Sequence, residues 1–253
     1  LSIAGKVSYQ TEKGELKESL IDMKRPVGII PSLAIHLDRD VNNNRSINPQ
    51  TDMLPILYKC GDTREDFRSI LAKELPPSTH SDSVSILDYD LCFYDCQSPA
   101  LIGFKEDFIS SARLDNLLSC FAGLQALLNS NRKITSILAC YDHEEVGSTS
   151  AIGANGSFLE SLLDRIYSEP EEKSRVMAQS ILISTDNAHG VHPNFPNKHD
   201  ENHAPVINEG LVIKVNANQR YATNSLTSSF LKNLCKKIGV PTQYFVSRGD
   251  VSC

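Results

Sequence analysis

Ile134-Thr135-Ser136-Ile137-Leu138-Ala139-Cys140-Tyr141-Asp142-His143-Glu144-Glu145-Val146-Gly147-Ser148 joins an apolar run to two adjacent carboxylates and a glycine turn. The run from Ile134 to Tyr141 predicts a buried strand. Upstream, Leu117, Phe121, Leu124 and Leu128 recur at helical spacing and predict a helix over Leu114 to Asn129 with one buried face. Downstream, Phe158, Leu162, Leu163 and Ile166 mark a second helix. Helix, strand and helix in succession point to an α/β layer with helices covering a sheet.

The same alternation continues toward the C-terminus. Met177 to Thr185 contains a candidate strand, and Leu211-Val212-Ile213-Lys214-Val215 is a β-like run. The helix that follows carries Leu226, Phe230, Leu234 and Ile238, with Gly239 as its terminator, and Tyr244-Phe245-Val246 resumes strand character. The N-terminal third reads differently, as short β segments between polar turns. Two prolines, Pro26 and Pro31, limit pairing around Val27-Gly28-Ile29-Ile30, and three consecutive asparagines make Asp40 to Ser46 a loop. Ser85 to Tyr94 alternates with period two and predicts a strand. The proline-rich connection from Glu74 to Ser85 is the expected boundary between the two textures.

A chain of 253 residues can bury a substantial core in one large or two unequal domains. The formal charge of −6, without an arginine-rich tract, gives no reason to expect nucleic-acid binding. No apolar stretch reaches membrane-spanning length. The seven cysteines lack close paired spacing and are odd in number, which favours a reducing, cytoplasmic setting over a disulfide scaffold. Leu1 to Val7 has neither an initiator methionine nor the character of a signal peptide.

The chemistry is carried by acids at the ends of ordered segments. On extended backbone, neighbouring side chains face opposite ways, so one of Glu144 and Glu145 can hold a cation while the other handles a proton. A metal lowers the pKa of bound water to about 7, which makes a glutamate a sufficient base. Asp115 opens its helix, where an acid also serves backbone donors in the ordinary way. Asp186 follows the Met177 to Thr185 run, and Asp-Asn pairs are common in turns. With parallel strands, Asp115, Glu145 and Asp186 meet at one end of the sheet as three candidate metal carboxylates.

His143 is not read as a ligand, since Asp-His-Glu-Glu does not match the helical HExxH pattern. His189 and His192 suit a metal or a hydrogen-bonded loop equally, and His199 and His203 share a polar loop. His36 is either an imidazole paired with Asp38 or a substrate-contacting residue donated from another region. A glycosidase would need only a separated acid pair, whereas here several carboxylates are expected to converge on cations.

Pro31-Ser32-Leu33-Ala34-Ile35-His36-Leu37-Asp38-Arg39-Asp40, Phe108 to Asn116, Asp142 to Ser148 and Asn216-Ala217-Asn218-Gln219-Arg220-Tyr221 together resemble the aspartyl aminopeptidase family of cocatalytic dizinc exopeptidases. The likeness runs over nearly the full length. It implies an α/β fold with a central mixed β-sheet flanked by helices and a β-rich inserted assembly domain. Residues 1–86 would be the insert, and 87–253 part of the catalytic metallopeptidase domain.

The resemblance further implies that Asp115 bridges two divalent ions, zinc by family habit, with Glu145 on one, Asp186 on the other and Glu144 as general base. It makes Lys214 the cation that recognises an acidic N-terminal side chain of a peptide substrate. His36 matches an insert-domain histidine that approaches the active site of a neighbouring subunit. A homo-oligomer, a tetrahedral dodecamer in the family, is expected. The family's two histidine ligands fall outside residues 1–253, so the chain is expected to be an internal fragment or one piece of a divided enzyme with companion flanking segments. The alternative is a noncatalytic assembly or regulatory module with an incomplete metal site.

Overall fold

The computed structural model describes residues 1–61, 65–79 and 83–247. His80, Ser81 and Asp82 of the expected connection, and Cys253, lie outside the described residues. Two compact units, Leu1–Ala112 and Arg113–Cys253, make up the chain. The architecture is mixed α/β, with several small sheets flanked by helices.

Unit 1 is built on an antiparallel sheet of order β2-β1-β3, from β1 (Ser2–Thr11), β2 (Leu16–Asp22) and β3 (Val84–Tyr94). The β1–β2 hairpin closes at Gly14, whose N–H donates to the Thr11 carbonyl at 2.9 Å. Two short helices, α1 (Pro49–Asp52) and α2 (Phe67–Glu74), lie between β2 and β3. Residues Ile3, Val7, Tyr9, Ile21, Met23, Leu71, Leu75 and Ile86 form one buried cluster, so all three strands and the end of α2 supply the core, with β1 giving the most. Gly5 lets β1 and β3 approach: a Cβ there would lie 2.1 Å from the Asp90 carbonyl oxygen.

The expected strand over Ser85 to Tyr94 is β3, a single strand whose pairing with β1 shifts register between Ile86 and Asp88, leaving Leu87 as a bulge. The prolines around Val27 to Ile30 leave only an isolated bridge, Ile29 to Ile56, and Asp40 to Ser46 is a loop of turns, as its asparagines require. A small antiparallel pair, β4 (Ala100–Ile102) and β5 (Phe108–Ser110), completes the unit.

Unit 2 contains α3 (Leu114–Leu128), α4 (Phe158–Ile166), α5 (Pro170–Ala178), β6 (Leu211–Val215), α6 (Ser225–Ile238) and β7 (Thr242–Val246). Strands β6 and β7 are parallel neighbours, with Ile213 opposite Tyr244, and α6 is the crossover that parallel pairing demands. Asn224 and Thr227 form a capping box at the start of α6, and Gly239 ends it at φ 72°.

Two expectations need correction. Residues 134–141 and 180–185 form no ladder, and Met177 and Ala178 belong to α5. Apolar β-branched runs indicate what could pair, but a strand also needs a neighbour offering donors and acceptors. Ile134 and Leu182 are instead 81% and 85% exposed. Among the described residues, no helix is long and apolar enough to cross a membrane.

Candidate metal centre

All the site elements described next belong to unit 2. Asp115 is the second residue of α3, at non-helical φ −83° and ψ 113°, so its side chain stands off the helix N-terminus rather than capping it. Asn116 beside it sends its amide to the Thr185 carbonyl at 2.9 Å. That bond ties the start of α3 to the segment entering Asp186. Glu144 and Glu145 sit in a tight turn closed by Gly147 N–H to the Glu144 carbonyl and Ser148 N–H to the His143 carbonyl, both 2.9 Å. The turn places His143 at φ 59° and Gly147 at φ 99°, the latter a conformation glycine adopts without strain. His143 Nδ1 lies 2.7 Å from Ser150 Oγ, so its ring is used in holding the turn.

Lys214, on β6, donates to Asp186 Oδ2 at 2.6 Å. The lysine side chain is 17% exposed and that of Asp186 43%. Desolvation first, then the side-chain contact with Asp186 and the charges of Asp186 and Glu145, push the Asp115 carboxyl above its ordinary value, with Lys214 opposing. Glu144 is raised for the same reasons, by desolvation and then by the charges of Glu145, Asp186 and Asp115. Desolvation also works to raise Asp186, but the hydrogen bond and charge of Lys214, the contact with Asp115 and the Asn187 N–H outweigh it and hold that carboxyl low.

Asp115, Glu144 and Asp186 therefore all feel the charge of Lys214, and Glu145 acts on Asp115 and Glu144. Hard carboxylate oxygens and excess negative charge are the donor chemistry that suits divalent cations, and Asp115, Glu145 and Asp186 supply donors of that kind. Among the described residues, no three His, Cys, Asp or Glu side chains are arranged to hold a metal ion.

The remaining candidates have other partners. His36 is in unit 1, where its Nδ1 faces Arg39 Nη2 at 3.4 Å, while Asp38 pairs with Arg45 at 3.5 Å. His203 bonds Asp200 at 2.7 Å, and the His192 and His189 rings lie beside Phe195 and Phe245. Two residues of the quoted motifs gain a role from the structure: Asn116, which follows Asp115 at the start of α3, and Tyr221, over whose ring Lys214 Nζ sits at 5.9 Å. Asn216 Oδ1 accepts from the Arg220 and Tyr221 N–H groups, at 2.9 and 3.3 Å, and so shapes the loop that presents that ring.

The family model for the aminopeptidase I zinc metalloprotease, M18, matches residues 1–253. The chain belongs to the M18 family. Its relatives include "Probable M18 family aminopeptidase 2" of Azotobacter vinelandii, 52% identical over 100% of this chain and 59% of that protein. The protein of the same name from Pseudomonas fluorescens strain Pf0-1 is 53% identical with the same coverage. This M18 chain thus spans 59% of the length of those curated relatives. Among solved structures, Ape4 in its complex with Nbr1 superposes with a TM-score of 0.83 at 35% identity, covering 100% of this chain and 53% of that one. The Saccharomyces cerevisiae mApe1 dodecamer gives 0.73 at 27%, covering 97% and 57%.

Proposed function

We propose that this M18 chain is the centre of a metal-dependent aminopeptidase that removes one N-terminal residue, Asp or Glu by preference, from peptides. The observation that supports the reading is the mutual electrostatic influence of Asp115, Glu144, Glu145 and Asp186, with Lys214 bonded to Asp186. Asp115 would bridge two divalent ions, zinc by family, with Glu145 and Asp186 each holding one. Bound cations would supply Lewis acidity and acidify water near neutral pH.

Glu144 accepts the proton of the attacking water and returns it to the departing amine. A positioned carboxylate is a competent base for water that a cation has acidified. Lys214 has three donors and spends one on Asp186, leaving others for an acidic substrate side chain. His36 would contact substrate bound to a neighbouring subunit of a homo-oligomer, for which the dodecamer of the yeast relative is the template. The assembly role is attached to unit 1 as a whole, extending the expected 1–86 insert, because β3 crosses residue 86 as one strand. A cytoplasmic setting suits its free cysteines.

A second reading, a noncatalytic assembly or regulatory module, is favoured by the lack of a three-ligand metal arrangement among the described residues. One experiment separates the two. Metal content is measured on the chain alone and with the family's flanking segments supplied, and cleavage of peptides with N-terminal Asp or Glu is followed in each. Two ions per site and turnover that Glu144→Gln lowers at least about 100-fold support the enzyme. Absence of metal and turnover in both preparations supports the module.

A further inference from the structure

Behind the acid turn, helix α3 packs against residues 134–141. A Cβ added at Gly123 would lie 2.7 Å from Leu138 Cδ1, so the Leu138 side chain lies directly against the helix at Gly123. Three residues back along the helix, on the same face, is Cys120. Two residues forward along the extended segment, on the same side, is Cys140. The two periodicities bring Cys120 and Cys140 to one place, where the Cys120 thiol is the largest influence on the Cys140 thiol. Cys120 is half-buried and Cys140 exposed, so a small reagent can reach the pair.

We propose that Cys120 and Cys140 form a modification site, a dithiol that a small-molecule disulfide of the glutathione class converts to an internal disulfide. The Cys140 thiolate attacks one sulfur of the reagent, giving a mixed disulfide and releasing one thiol. The Cys120 thiolate then attacks the Cys140 sulfur and releases the second thiol. The protein loses two electrons and two protons, and the reagent disulfide gains them as two thiols. The bond fastens α3, whose first turn carries Asp115, to the segment that runs into Glu144 and Glu145. The contact with Cys120 and then burial hold the Cys140 thiol above its ordinary value, so its thiolate is scarce at neutral pH and the exchange accelerates as pH rises.

The sequence supplies a direct readout that does not depend on peptidase activity. Trypsin cleaves after Arg113, Arg132, Lys133 and Arg165, so Cys120 and Cys140 fall in separate peptides, 114–132 and 134–165, each with one cysteine. The whole chain is equilibrated with reduced and oxidised glutathione, quenched in acid, alkylated and digested without reductant. The expected result is a 114–132/134–165 species that reductant splits. It forms at an oxidised-to-reduced ratio at least roughly tenfold lower than in the urea-unfolded chain. Cys120→Ser and Cys140→Ser abolish it, and Cys92→Ser leaves it. Cys140 ending as a stable glutathione adduct, or equal ratios for folded and unfolded chain, overturns the proposal.

Discussion

Unit 1 encloses its apolar residues, whereas unit 2 is held at its site largely by polar contacts. Of the hydrophobic residues buried among those described, eight belong to the cluster of unit 1, and only Ile213, Cys235 and Phe245 belong to unit 2. The segments that carry the site acids are joined instead by Asn116 to Thr185, Lys214 to Asp186 and His143 to Ser150. Unit 1 is therefore expected to respond to side-chain volume, and the site in unit 2 to charge and hydrogen bonding.

The largest test of that contrast is Leu71→Ala against Leu182→Ala. Leu71 is fully buried, and truncation should cost about 2–5 kcal/mol. Leu182 is 85% exposed, so its truncation should stay within about 0.5 kcal/mol. Urea unfolding followed by circular dichroism measures both, and equal losses would erase the distinction. Next in size is a glycine pair. Gly5→Ala drives a methyl into the Asp90 carbonyl, which only backbone movement relieves, for a loss of about 2 kcal/mol or more. Gly239→Ala meets nothing nearby and carries only the strain of φ 72°, about 1 kcal/mol. A reversed order would place the tighter packing in unit 2.

Lys214→Met sharpens the polar side of the comparison. It removes the cation that holds Asp186 low, so that carboxyl should titrate higher by NMR. The stability loss should be no more than about 1 kcal/mol, because Asp186 is 43% exposed and solvent screens the pair. An unchanged Asp186 titration would show that Lys214 does not neutralise the acid group.

The same contrast explains what was legible in the sequence. Period-two alternation announced β3, and helical spacing announced α3, α4 and α6, because those patterns report a buried or buriable face. Gly239 announced a helix end because left-handed backbone favours glycine. The strand expected at 134–141 was misplaced because apolarity does not identify a pairing partner. Helix α5 was missed although Pro170 at its first turn and Glu171 and Glu172 after it are start signals. At the site, the acids could be read singly, since each lies near the end of a segment. The Asn116–Thr185 and Lys214–Asp186 bonds could not, because they join residues 69 and 28 positions apart and depend on how the chain returns on itself.

The smallest expected effect asks whether unit 1 also leans on charge. Arg25 forms a two-pronged pair with Glu74 at the end of α2, beside Leu75 of the core. The Arg25 hydrogen bonds, against the opposing pull of partial burial and with the help of Arg25's charge, hold the Glu74 carboxyl below the usual glutamate range. A carboxyl depressed by folding binds fewer protons in the folded than in the unfolded chain, so its contribution is complete above the ordinary glutamate value. It is lost as pH falls through the lower folded value. Glu74→Gln should therefore lower the melting temperature slightly at neutral pH and flatten the acid limb of its pH profile. Because Arg25 is largely exposed, both changes should be far smaller than the loss from Leu71→Ala. A Glu74→Gln effect that rivals the core truncation would mean that unit 1, like the site in unit 2, depends on its ion pairs.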